Sequence, residues 1–186
     1  MQAPGGPKED TSGGFKYGGW TAPFADKAMG PILKKELSGP FDLLLGRKTY
    51  DTWKVYWPKQ KNYIGDPFNK ATKYVVSSKK IDTPWKESVL ITDNVVSGLK
   101  KLKKQAGPVL HVWGSSVLVQ TLFKNDLVDE LRLRIYPITL GKGKKLFAGG
   151  AIPAAFELED SKTLPSGVIL ANYKRAGKVK TGTVGT

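Results

Sequence analysis

A chain of 186 residues that is 40% hydrophobic and 25% charged is long enough for one domain with a sizeable core, and too apolar to stay disordered. With no cysteine and a single histidine it excludes disulfides, cysteine or histidine-rich metal centres and a thiol nucleophile, so any redox chemistry has to come from a cofactor. The formal charge of +14, mostly lysine, favours anionic partners. No stretch approaches the roughly 18 apolar residues that span a bilayer and no signal pattern opens the chain, so a cytoplasmic location without membrane contact is expected.

Residues 1–22 carry Gly5-Gly6-Pro7, Gly13-Gly14 and Gly18-Gly19 without helical or strand period, and read as a loop. Phe15, Tyr17, Trp20 and Phe24 argue that it is ordered and functional, because aromatics at that density pack against something. Asp26 to Glu36 has helical spacing through Ala28, Ile32 and Leu33 and stops at Gly39-Pro40. Phe41 to Leu45 is a short buried strand, and Gly46 turns into a second helix through Thr49, Tyr50 and Trp53.

Strands are predicted at 73–77 and 88–92, a helix at 94–105 and a strand at 109–113. A helix at 114–124 and a long strand at 130–138 follow. In the 94–105 helix Val95, Val96, Leu99 and Leu102 form the inward stripe, which leaves Lys100, Lys101, Lys103 and Lys104 in solvent. Strands at 155–164 and 168–175, joined through Pro165-Ser166-Gly167, read as an antiparallel hairpin. The alternation implies one α/β domain over 1–186, three-layered, with a mostly parallel central sheet flanked by helices and an antiparallel C-terminal hairpin.

In such a sheet, ligands bind at the carboxyl ends of the strands, where helix N-termini face an anion. Three ends carry suitable residues: Gly46, Arg47 and Thr49; Ser77, Ser78 and Lys79; and Gly114, Ser115 and Ser116. Three phosphate-compatible turns at one end of a sheet suit a dinucleotide, although the G-x-G-x-x-G fingerprint is absent. Glu9, Asp10 and Asp26 lie in or beside the aromatic glycine loop and are the candidate proton relays, since a carboxyl in an apolar pocket has a raised pKa. His111, mid-strand among apolar residues, reads as a half-buried structural histidine. Asp129 and Glu130 read as strand anchors that form salt bridges.

GRKTYDTW (46–53) and WGSSVLVQTLFKNDLVDELRLRIYPITLGKGKKLF (113–147) resemble the reductase domain of bacterial riboflavin biosynthesis and its stand-alone, dihydrofolate reductase-like relatives. The opening APGGPKEDTSGGFKYGGW and the closing YKRAGKVKTGTV are similar to the same family. The resemblance implies an NADPH-binding fold in which Gly46, Arg47 and Thr49 meet the cofactor phosphates. On the same footing Ser77, Ser78 and Lys79 hold the 2′-phosphate, and Gly114, Ser115 and Ser116 embrace the pyrophosphate. It implies hydride transfer to a small heteroaromatic or imine-type substrate, such as a ribosylamino-uracil phosphate or a dihydrofolate.

Members of that family place an apolar strand before the M-Q-A-P-G segment. Residues 1–186 alone are therefore expected to leave a gap in the sheet and to be marginal unless residues 1–8 or a partner fill it. Two alternatives remain beside the reductase: a nucleic-acid or polyanion binder using the +14 charge, which no nucleic-acid motif supports, and a catalytically silent relative acting as a scaffold. A homodimer stays open.

Overall fold

A computed structural model describes residues 1–185. Two sheets form the frame. The first is parallel and contains β1 (Phe41–Gly46), β2 (Lys73–Val76), β3 (Ser88–Ile91) and β4 (Val109–Val112) in the order β3-β2-β1-β4. β1 pairs with β2 from Leu43↔Lys73 and with β4 from Phe41↔Val109, which makes it an interior strand.

The run Leu43-Leu44-Leu45 explains that position. Successive side chains point to opposite faces of a strand, so three consecutive leucines need cover on both sides. Leu43 and Leu45 pack with Tyr50, Phe68, Val75 and Trp85 on one face, under the helices α2 (Arg47–Tyr56) and α3 (Gly65–Lys70). Leu44 packs with Leu99, Leu118 and Leu122 on the other, under α4 (Val95–Lys104) and α5 (Ser116–Lys124). Each such leucine stabilises the fold by about 1.5–3 kcal/mol relative to an exposed one.

The second sheet is antiparallel and joins β5 (Glu130–Ile135), β6 (Ala155–Thr163) and β7 (Ile169–Gly177) in the order β5-β7-β6. Its β6–β7 turn runs through Pro165-Ser166-Gly167, with Gly167 at φ +80. Leu164, Val168 and Leu170 pack there against Ala28, Met29 and Ile32 of α1 (Met29–Glu36) and its approach.

The expected elements are present, with one difference in how they assemble. The hairpin does not extend the parallel sheet: β5 pairs only with β7, β4 pairs only with β1, and no ladder joins β4 to β5 among the described residues. Side chains span the interval instead, with the Arg134 guanidinium 5.4 Å from the Trp113 ring and Arg132 acting electrostatically on His111. Residues 1–8 form no strand; Gln2 and Ala3 are buried inside the loop they begin. The lysines of α4 are exposed around buried Leu99, as the stripe predicted. Asp129 pairs with Lys103 and Glu130 with Arg132.

His111 stacks on Phe41 at 4.7 Å, and its Nδ1 is buried without a partner. Burial, with Arg132 adding and Glu130 opposing, pushes its imidazole down to about 4. It stays neutral near pH 7, in keeping with the structural reading.

Candidate functional site

Because β1, β2 and β4 are parallel neighbours, their carboxyl ends open on one edge of the sheet. The chain enters α2 directly from β1 through Gly46 and enters α5 after the three residues 113–115 that follow β4, so two helix N-termini face that edge. The first N–H groups of each have no intrahelical partner, the arrangement that attracts an anion.

Hydrogen bonds fix these two starts against each other. The Gly46 N–H donates to Ser115 Oγ at 2.9 Å, the Ser115 N–H donates to Thr49 Oγ1 at 3.0 Å, and Ser115 Oγ reaches the Trp113 carbonyl at 2.9 Å. Gly114 and Ser115 both take left-handed backbone, at φ +56 and φ +52. At Gly114 this favours glycine, and an added Cβ would lie 3.4 Å from Thr49 Oγ1. At Ser115 the conformation is a cost that the three bonds to its amide and hydroxyl offset. Thr49 and Ser115 are thus engaged with the protein, and their effect on a ligand is to aim backbone N–H groups rather than to offer free hydroxyls.

At the end of β2, the Ser77 side chain is also turned inward. Its hydroxyl donates to the Lys79 carbonyl at 2.7 Å and accepts the Lys79 N–H, which folds residues 77–79 into a tight turn. Ser78 and Lys79 are the exposed members. Arg47 is exposed at the start of α2, and its Nε pairs with Asp51 at 3.2 Å, leaving the Nη edge of the guanidinium open. Ser116 begins α5, and its carbonyl accepts from Gln120.

The glycine loop closes the site from the side. Gln2 Nε2 donates to the carbonyls of Asp10 and Ser12, and Gln2 Oε1 accepts the Lys144 N–H at 3.1 Å. One buried amide therefore ties residues 1–12 to the lysine-rich turn at 141–145. Gln120 of α5 holds the same turn through the Leu146 carbonyl at 2.9 Å. A cleft of about 510 Å³ lies between Gln2, Ser12, Gly13, Phe15, Lys142 and Lys144. A second, of about 290 Å³, shares the 142–144 wall and is bounded by Trp20, Arg134, Tyr136 and Lys145. Arg134 is held there by an ion pair with Glu36.

The three candidate carboxylates do not converge. Asp26 accepts the Ala28 N–H at 2.8 Å and the Ser166 N–H at 3.0 Å, so it closes the turn that leads into α1 and pins the β6–β7 turn. Those backbone bonds, Ala28 first, hold its carboxyl below the usual range. Glu9 accepts the Gly5 N–H at 2.7 Å within the loop. Burial pushes the Asp10 carboxyl up, but the Lys144 ammonium and the Ser12 hydroxyl and N–H outweigh it and hold it well below the usual range. The expectation of a carboxyl raised in an apolar pocket is corrected for Asp10 and Asp26, because each meets hydrogen-bond donors instead.

Sequence reasoning missed Gln2, Lys48, Arg134 and Lys144 as site residues. For Lys144 a signal existed in the density of Gly141-Lys142-Gly143-Lys144-Lys145. For Gln2 and Arg134 there was none, since their partners lie 142 and 98 residues away.

Residues 2–170 match the family model of the RibD C-terminal domain. An uncharacterized protein of Bacillus subtilis, YyaP, is 34% identical over 140 residues, covering 70% of this chain and 72% of that protein. The fold is similar to a putative riboflavin biosynthesis protein from Shewanella sp. PV-4 (TM-score 0.62, 22% identity, covering 81% and 80% of the two chains). It is also similar to a pyrimidine reductase-like protein from Corynebacterium diphtheriae (TM-score 0.61, 12% identity, covering 87% and 85%). The chain belongs to the RibD C-terminal domain family, a reductase-like family with the dihydrofolate reductase-like fold.

Proposed function

We propose that this chain is an NADPH-dependent reductase acting on a small heteroaromatic or imine-type substrate. The observation that carries the reading is the pair of helix N-termini at the ends of β1 and β4, locked together by Thr49 and Ser115, with glycine at both approaches. A dinucleotide needs this close backbone approach, because its pyrophosphate is held by N–H groups rather than by long side chains. At Gly114 the left-handed backbone, φ +56, favours glycine, which keeps that approach to the α5 start unsubstituted.

Arg47 and Lys79 stand exposed at the outer end of the same edge, where they supply positive charge for a 2′-phosphate, and the Ser77 turn presents Ser78 beside them. When bound, the nicotinamide supplies hydride. The chain's own residues would orient the cofactor from the strand ends. The substrate would stack in the loop-side clefts against Phe15, Trp20 and Tyr136, where Lys142, Lys144 and Arg134 favour a negatively charged one.

Fluorescence titration of the purified protein with NADPH and NADH tests the reading. Saturable binding, tighter for NADPH, is the expected result; no saturable binding of either nucleotide refutes it. The polyanion-binding alternative draws on the charge of +14 alone.

A further inference from the structure

Asp10 stands between two cations from different parts of the chain. Its Oδ2 pairs with Lys144 Nζ at 2.5 Å, and its Oδ1 lies 3.8 Å from Lys48 Nζ. Lys48 belongs to the first turn of α2, beside the cofactor-side residue Arg47, and Lys144 lines the larger cleft. The carboxylate thus sits where the cationic wall of the cleft meets a helix N-terminus, a place whose field favours an anion.

Two features distinguish this contact from a surface ion pair. Asp10 is the only carboxylate placed against the lysines of the 141–145 turn among the described residues. Its backbone is held independently of its side chain, because Gln2 Nε2 bonds the Asp10 and Ser12 carbonyls. The side chain can therefore rotate out without unfolding the loop, giving up Lys144, Lys48 and the Ser12 N–H and hydroxyl.

We propose that Lys48 and Lys144 form an oxyanion site which Asp10 occupies in the ligand-free chain, and that a phosphate-bearing ligand binds there by displacing the Asp10 carboxylate. A phosphate group near pH 7 carries more charge than one carboxylate and offers three acceptor oxygens, so it satisfies both ammonium groups better. The tethered carboxylate acts as a built-in competitor that lowers the affinity of every anion by the same factor, so only one with intrinsically tight contacts to both ammonium groups binds well. The site adjoins the proposed cofactor cradle without depending on it.

Calorimetric titration with inorganic pyrophosphate at fixed ionic strength tests this. Wild type, Asp10→Asn, Lys144→Met and the double variant are compared with Glu159→Gln, which removes the same charge from β6. Asparagine keeps an acceptor for the Ser12 N–H, and thermal unfolding confirms that each variant is folded. Asp10→Asn is expected to tighten pyrophosphate about tenfold, the scale of one charge-assisted contact. Lys144→Met is expected to weaken it by at least about as much, the double variant to lose the tightening, and Glu159→Gln to change it less than about twofold.

In wild type the Ser12 amide resonance should shift with pyrophosphate as it loses its Asp10 acceptor. Unchanged or weaker binding by Asp10→Asn, equal tightening by Glu159→Gln, or a Ser12 resonance that stays fixed at saturation each overturns the proposal. Competition of pyrophosphate by NADPH would identify the cofactor as the source of the phosphate, and competition by ribose 5-phosphate alone the substrate. A failure of NADPH to bind at all would leave the pyrophosphate result standing.

Discussion

Thr49 Oγ1 accepts the Ser115 N–H at 3.0 Å across 66 residues of sequence, and so ties the first turn of α2 to the start of α5. Thr49→Val removes that acceptor and leaves the amide of buried Ser115 unmade, at a cost of about 1–3 kcal/mol. Urea unfolding should show this loss, and NADPH affinity should fall with it as the two helix starts drift apart. Thr49→Ser keeps the hydroxyl and should preserve both; equal weakening by serine and valine would mean that the threonine methyl, not the hydrogen bond, matters.

Arg47 separates charge recognition from cradle geometry. Its guanidinium is exposed and only its Nε is engaged with Asp51, so Arg47→Ala should leave the fold unchanged. The dissociation constant for NADPH should rise at least about tenfold while that for NADH moves less than about twofold. Titration with both nucleotides checks this, and equal losses would make Arg47 a structural residue.

Asp26 should behave as a structural residue that joins two turns rather than as a proton relay. Its folded pKa lies below the unfolded value, so its contribution to stability is full above the unfolded pKa and is lost as pH falls through the folded one. The melting-temperature gap between wild type and Asp26→Ala should therefore be open near neutral pH and shrink below about pH 4. A relay would give the opposite signature, with Asp26→Asn abolishing turnover at unchanged melting temperature.

Lys73 is fully buried at the start of β2, with its Nζ donating to the carbonyls of Asn69 at 2.7 Å and Lys86 at 2.9 Å, and 4.7 Å from the Trp85 ring. Burial pushes its ammonium down to about 8, against the raising effect of Glu87 and Asp42. The unfolded chain then binds more protons than the folded one between about pH 8 and about pH 10.5, so stability from this group rises with pH across that window. The difference in unfolding free energy between wild type and Lys73→Met should climb by at most on the order of 3 kcal/mol over that range. A difference that is flat with pH would show that Lys73 keeps an ordinary affinity for its proton.

Much of the frame was legible because it follows from period and punctuation. The Leu43-Leu44-Leu45 run demanded two covering layers, Gly46 marked the passage into α2, and Pro165-Ser166-Gly167 marked the β6–β7 turn. Local chemistry, however, says nothing of partners distant in sequence. The lysine density at 141–145 could not single out Lys144 as the partner of Asp10, 134 residues away, and the strand pattern at 73–77 could not show that two carbonyls and an indole enclose Lys73. The separation of the strands into two sheets was equally invisible, since β4 and β5 each carry a strand pattern whether or not they pair with each other.

That separation bears on the order in which the molecule assembles. All three strands of the antiparallel sheet come from residues 130–177, and the β6–β7 hairpin is closed by a short turn, so its loop-closure entropy is small. In the parallel sheet Leu43 and Leu45 of β1 are covered by residues 50–85, but Leu44 must wait for Leu99 and for Leu118 and Leu122 of α5, more than seventy residues away. Contacts near in sequence form sooner than distant ones. As the chain emerges from the ribosome, the antiparallel sheet is then quick to close once its residues are out, while the Leu44 face of β1 stays open to chaperones until α5 arrives at 116–124.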